Sequence, residues 1–400
     1  MKERSYQRHI QVAMAYFIMA ALLGILLRSY PIFFFGFHYR YMVHAHSHIA
    51  LLGWVYVAMT TLLHYCFVEK DTSGKRYRRI FGATQVTLIG MLLTFPFQGY
   101  ALFSIIFSTL FLIVSYVFFY HFSKHIHPKF RDSKALVCMK AALWYMVISS
   151  LGPWALGVIM TTLGAQSIWY RLAIYFYLHF QYNGWMVLTL IGLFLFALEQ
   201  RGFVFPKKRF IQFFWALNIG IVLSFFLSAL WTKPSTWIYL AAGLGAMAQL
   251  YAMVLLWLMT TNGFLALPLS KMQDRLLKTA MVLLCIKLIL QLLTTFPYFA
   301  RMAVTYLDLT IGYLHLTFLG GISIGLFFFV DYFGLFRISR STYRWYFLGF
   351  LLTEILIFYR GFMVWQHWTM PKGFMEILAL SSLLILIGLC GMFLQNHKRT

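Results

Sequence analysis

Apolar residues in this chain run in blocks of about twenty, and charged residues are largely confined to the short breaks between them. A helix rises 1.5 Å per residue, so about 20 apolar residues span the hydrocarbon of a bilayer. Such blocks lie near 11–29, 44–68, 81–98, 101–122, 136–163, 168–198, 210–231, 237–261, 278–296, 304–330, 345–360 and 375–395. The pattern predicts an all-α polytopic membrane helix bundle of about 12 transmembrane helices, with residues 1–400 as a single transmembrane domain. The linkers are too short to hold a soluble domain. No low-complexity segment and no internal repeat is evident at this level.

Composition sharpens this picture. The 400 residues are 62% hydrophobic and only 11% charged, where a soluble domain carries about 25% charged residues. A net charge of +23 would suggest a nucleic-acid partner in a soluble protein. Here the charges sit between apolar blocks, so the expected partners are membrane lipids and no nucleic acid. The basic start MKERSYQRHI precedes an apolar run without a small-residue cleavage site, and reads as a retained first helix. Cys66, Cys138, Cys285 and Cys390 form no CxxC pair and read as small core hydrophobes.

Lys and Arg set the orientation. The N-terminus, the even-numbered loops and the C-terminus hold 25 of the 33, among them KRYRR at 75–79. Arg28, Arg40, Arg171, Lys233, Arg301, Arg360 and Lys372 fall in the odd-numbered loops, and Lys287 lies within the ninth block. Both termini are therefore expected to be cytoplasmic, in a multi-pass protein of a bacterial cytoplasmic (inner) membrane.

That orientation places the histidines. His9, His121, His125, His127 and His397 sit beside cytoplasmic basic residues and are expected to be solvated. His38 and His367 read as interfacial, and His64 lies near the inner end of the second block. His44, His46, His48, His179 and His315 remain, in the outer half or middle of blocks two, six and ten. Ionisable residues within spans are rare and are functional candidates by default, and neutral imidazole is a common ligand for metals and haem iron. For any single one of them, a hydrogen bond to a neighbouring helix is the ordinary explanation.

Helical geometry separates the triplet HAHSH. At 100° per residue His44 and His48 share a face, while His46 points almost oppositely. The His46 face continues through the compact Ala50, Gly53, Val57 and Thr60, and the His48 face through the bulkier Leu51, Leu52, Val55 and Met59. Small residues mark close approach or room for a cofactor, so His46 is the first expectation for an inward ligand, then His48, then His44. Tyr182 and Asn183 lie on the His179 face. Asp308 is two turns before His315, with Gly312 and Gly320–Gly321 removing bulk beside it. Lys287 and Glu354 are mid-span charges that are expected to pair or be neutral.

Twelve spans without a soluble domain, and histidines on the second, sixth and tenth, resemble the central subunit of the haem-copper oxidase superfamily. HSHIALLGW at 46–54 is similar to the HxHxxLxG motif of the NnrS family, twelve-span haem proteins linked to nitric oxide tolerance. HLTFLGGISIG from His315 is similar to that family's later helix. The likeness covers the topology of the whole chain, but its motifs cover only about 30 residues. It implies a haem, with His46 and His315 as axial ligands and His179 lining a pocket with Tyr182, Asn183 and Asp308. A gas (nitric oxide or oxygen) or a copper ion would sit in that pocket. With no CxxCH attachment motif the haem would be b-type. Propionates on the outer side would pair with Arg40, Arg301 or Arg360, whose ordinary role is to snorkel to headgroups. An electron-donor protein or a quinone would be the redox partner.

The departures are equally specific. The seventh block has no histidine and the tenth has one where the oxidases have two, so the usual oxygen-reducing copper centre is not expected. The alternatives are a proton-coupled transporter using buried His and Asp, or a non-haem copper or zinc membrane protein built on HAHSH.

Overall fold

The computed structural model describes residues 3–33 and 35–397, so Phe34 of the aromatic stretch after the first block lies outside the description. Among the described residues there are twelve helices long and apolar enough to cross a membrane. They are α1 (Glu3–Ser29), α2 (Tyr39–Phe67), α3 (Gly74–Gln98), α4 (Leu102–Lys124), α5 (Lys134–Thr162), α6 (Ile168–Glu199), α7 (Lys207–Thr232), α8 (Thr236–Leu265), α9 (Lys271–Leu293), α10 (Leu307–Tyr332), α11 (Arg340–Trp365) and α12 (Phe374–His397). The chain is an all-α multi-pass membrane protein. Large apolar side chains are turned outward along the helices, Leu93 being 63% exposed, and only lipid makes such a surface tolerable.

Most helices start within a few residues of the expected blocks, α1, α3 and α9 seven or eight residues earlier, and two of the differences have local reasons. α2 begins at Tyr39, ahead of the expected 44, because the aromatic Tyr39 and Tyr41 and the apolar Met42 extend it outward. α10 begins at Leu307, since Tyr306 is extended (φ −109°, ψ 90°) and separates it from a short helix, Pro297–Thr305. Thr310 Oγ1 donates to the Ala303 carbonyl at 2.6 Å, satisfying an acceptor that this break would otherwise orphan.

The chain divides into two compact units. The first holds α1–α4, α11, α12, Ser270 with residues 271–277 of α9, and the stretch from Ser323 of α10. In it α1 packs on α2 and α12, α3 on α4, and α11 on α12. The second holds α5–α8, residues 278–293 of α9, and α10 as far as Ile322. There α5 packs on α6, and α7 on α8. α2, α6 and α10 are the most enclosed helices, with 83%, 89% and 72% of their apolar windows buried, against 22–61% for the other nine. These are the three that carry the singled-out histidines.

Candidate functional site

Each of those three helices changes its winding at its histidine. α2 is α-helical to His48 and then π-helical over Ile49–Tyr56. α6 is α-helical to His179 and π-helical over Phe180–Val187, and α10 is α-helical to His315 and π-helical over Leu316–Ile322. π-helix is rare, closes i→i+5 hydrogen bonds and collects at functional sites. The sequence repeats with it: His48–IALL–Gly53–Trp54, His179–FQYN–Gly184–Trp185 and His315–LTFL–Gly320–Gly321. An internal repeat is thus present, one copy every fourth helix, contrary to the first impression. Its signal is six residues long, too short to stand out before the backbone shows it.

The glycines explain why the widened turns are tolerated. A Cβ at Gly53 would stand 2.7 Å from Tyr16 Cβ on α1, and one at Gly321 would stand 2.7 Å from Leu284 Cδ2 on α9. At Gly184 it would overlap the ring of Tyr145 on α5. Each π segment is seated against the preceding helix of its own unit, and only glycine allows that approach.

In the first unit the triplet divides as the 100° rule expects. His46 turns toward α1, its Nδ1 2.9 Å from the Ala20 carbonyl and its ring against Gly24. A carbonyl only accepts, so Nδ1 carries the proton and Nε2 keeps its lone pair. No hydrogen bond reaches that Nε2 among the described residues. His44 and His48 turn toward the end of α3. The His48 ring stacks on Phe95 at 4.4 Å, its Nδ1 donates to the His44 carbonyl at 2.8 Å, and Tyr100 OH lies 3.4 Å from its Nε2. The small-residue argument for His46 needs correction, however. Beyond Ile49 the α period no longer applies, and Gly53 closes on Tyr16 and opens no cleft.

Arg28, which sequence reasoning left among the loop charges, belongs to this region. Its Nη1 donates to Ser382 Oγ at 2.6 Å, and its charge acts on both His46 and Glu354. Glu354 is buried, and among the described residues neither carboxyl oxygen has a hydrogen bond. Trp54, next to Gly53, donates from Nε1 to Ser323 Oγ at 2.8 Å and fixes the far side of the π segment.

In the second unit, His179 sits in a directed chain of hydrogen bonds. Its Nε2 lies 2.8 Å from the Ile221 carbonyl and must donate. Its Nδ1 therefore accepts, from Asn183 Nδ2 at 3.2 Å. Asn183 Oδ1 in turn accepts from Lys287 Nζ, which also donates to Gln291 Oε1 at 2.6 Å and lies 5.3 Å from the centre of the Tyr182 ring. Lys287 is fully enclosed, and its partners are amides and a ring face, not a carboxylate. Both nitrogens of His179 are committed, so this arrangement suits a polar relay better than a metal ligand. Tyr313 OH reaches Gln291 Oε1 at 3.5 Å, and its ring meets Tyr182 edge-on.

The remaining candidates spread out. Arg40 and Arg301 are exposed, Arg360 is half-buried, and Asp308 and His315 are half-buried on α10. His46 belongs to the first unit; His179, Tyr182, Asn183, Asp308 and His315 belong to the second. Among the described residues, no three His, Cys, Asp or Glu side chains form a group that could hold a metal ion.

Two further expectations are overturned. His9 and His121, expected in solvent, are buried at 8% and 1% exposure because neighbouring helices close over them. Cys285, expected in the core, is exposed, while Cys66 and Cys138 are buried. Compared with known proteins, the chain matches no family model, and no curated protein is similar to it in sequence.

Proposed function

We propose that this chain is a haem-binding protein of a bacterial cytoplasmic membrane, of the oxidase and NnrS type and without a complete copper site. It would serve redox chemistry or the handling of nitric oxide or oxygen, drawing electrons from a protein or a quinone. The observation that carries this reading is His46. Ligating histidines typically donate their second ring nitrogen to a carbonyl or carboxylate, which fixes the tautomer and the ring plane. His46 already does so through Ala20, with Nε2 left as an available ligand and Gly24 leaving the ring room. Three histidines each followed by a π segment, on the three most enclosed helices, add to it. Haem supplies a metal for electron transfer or gas ligation; this chain supplies the imidazole, its orientation and a lipid-shielded surround.

The test is a reduced-minus-oxidised spectrum with pyridine haemochrome on protein made with ample haem. A b-type spectrum supports the proposal, and absence of a Soret band ends it. A second reading, proton-coupled transport, is favoured by the chain Lys287–Asn183–His179. Protein without haem whose proteoliposomes move protons with a solute would establish it instead.

A further inference from the structure

The inner end of the first unit holds a second group of imidazoles, far along α2 from His46. Tyr6 and His9 come from α1, His64 from α2, Tyr77 from α3 and His121 from α4, and all five are buried. The His64 ring stacks on Tyr77 at 3.9 Å and lies parallel to His121 at 5.5 Å. Tyr6 OH is 2.9 Å from His64 Nδ1, and His9 stacks on Phe81 at 3.6 Å. The loops after α2 and α4 are joined to each other. Val68 bridges Ile126, and His127 N donates to the Phe67 carbonyl at 2.9 Å.

Two of these imidazoles are short of hydrogen bonds. Among the described residues, neither ring nitrogen of His121 has a partner, nor does His9 Nδ1. A neutral imidazole always presents one donor and one acceptor, and a buried polar atom left unsatisfied costs about 1–3 kcal/mol. Phenylalanine would fill the same space without that cost. A metal ion is a poor answer, since parallel rings do not converge their lone pairs and no three-ligand group forms among the described residues. A small ligand that both donates and accepts is water.

We propose that His9, His64, His121, Tyr6 and Tyr77 form a hydrated proton-loading site at the inner end of the first unit, filled from the cytoplasm by way of His125. His125 is half-buried at the end of α4, its ring 4.6 Å from that of His121. Inward, Tyr77 OH donates to Thr61 Oγ1 at 3.2 Å, and Thr61 Oγ1 donates to the Val57 carbonyl at 2.7 Å. That carries the polar track to the residue that follows the π segment of α2. The site takes one excess proton at a time. His9, His121 and His125 all act electrostatically on His64, with Arg76 facing His121 and Arg78 facing His9. Other titratable neighbours include Tyr65 and Cys66, and two acidic residues lie at this end: Glu3, which acts on Tyr65, and Glu69, whose N donates to the His125 carbonyl at 3.2 Å. This inference does not depend on haem.

The experiment is histidine C2-hydrogen exchange, read by mass spectrometry on the full-length protein in lipid nanodiscs. It reports water access and titration residue by residue, and wild-type protein suffices. Exposed His397 serves as the internal reference. His9, His64 and His121 are expected to exchange within about tenfold of it, each with a sigmoidal profile between about pH 5 and 9. Flat profiles at rates over about a hundredfold slower would mean a dry packed cluster and overturn the proposal. One equivalent of Zn²⁺ silencing all three together would reveal a metal site, and would overturn it too.

Discussion

At the scale of the residue, imidazoles declare their roles through their partners. His46 gives one nitrogen to a carbonyl and keeps the other, His179 uses both, and His48 shares its second with Tyr100. Replacing His46 by Ala should therefore strip haem from the purified protein far more than replacing His44, as measured by haemochrome per mole of protein. Equal retention in the two variants would remove His46 from the ligand role. Lys287 offers a separate test that needs no cofactor. Asn183→Leu leaves the buried ammonium with Gln291 alone and His179 Nδ1 with nothing, and should destabilise by about 1–3 kcal/mol. Adding Lys287→Met to that variant should recover part of the loss, because it removes the charge left short of acceptors. Simple additivity in thermal unfolding would show that the contact carries no coupling.

At the scale of the element, the twelve helices were legible because lipid imposes one length and one polarity on each. The histidines of α2, α6 and α10 were legible as costly residues in apolar surroundings. The winding was not. Periodicity assumes 100° per residue, and a π segment breaks that count wherever tertiary contacts favour it over the local α pattern. His9 and His121 were misread for a related reason: a basic neighbour in sequence says nothing about which helices close over a side chain. Gly53 tests the seating of the first π segment. Gly53→Leu should overpack against Tyr16 and cost about 1–3 kcal/mol, and a compensating Tyr16→Ala should restore part of it. Failure of that rescue, read by thermal unfolding in detergent, would mean the close approach of α1 to α2 is not what selects glycine.

At the scale of the whole molecule, an even number of spans among the described residues goes with both ends on one side, and the distribution of Lys and Arg predicts that this side is cytoplasmic. Fluorescent reporters fused after Asp132 or at the C-terminus should light up, and alkaline phosphatase should be active only when fused near Lys233 or Lys372. The opposite pattern would reverse every assignment of inner and outer used above. The same architecture bounds the chemistry. α7 runs from Lys207 to Thr232 without a histidine, and α10 carries only His315. Rapid four-electron reduction of oxygen in the oxidases uses a copper ion held by several histidines, and no three potential ligands are grouped among the described residues. Purified protein supplied with quinol or reduced cytochrome should therefore show no oxygen consumption above the haem-free background, measured with an oxygen electrode. Turnover in the range of ordinary enzymes, about 1–1000 per second, would require a metal centre assembled from residues other than these, and would overturn the incomplete-site reading.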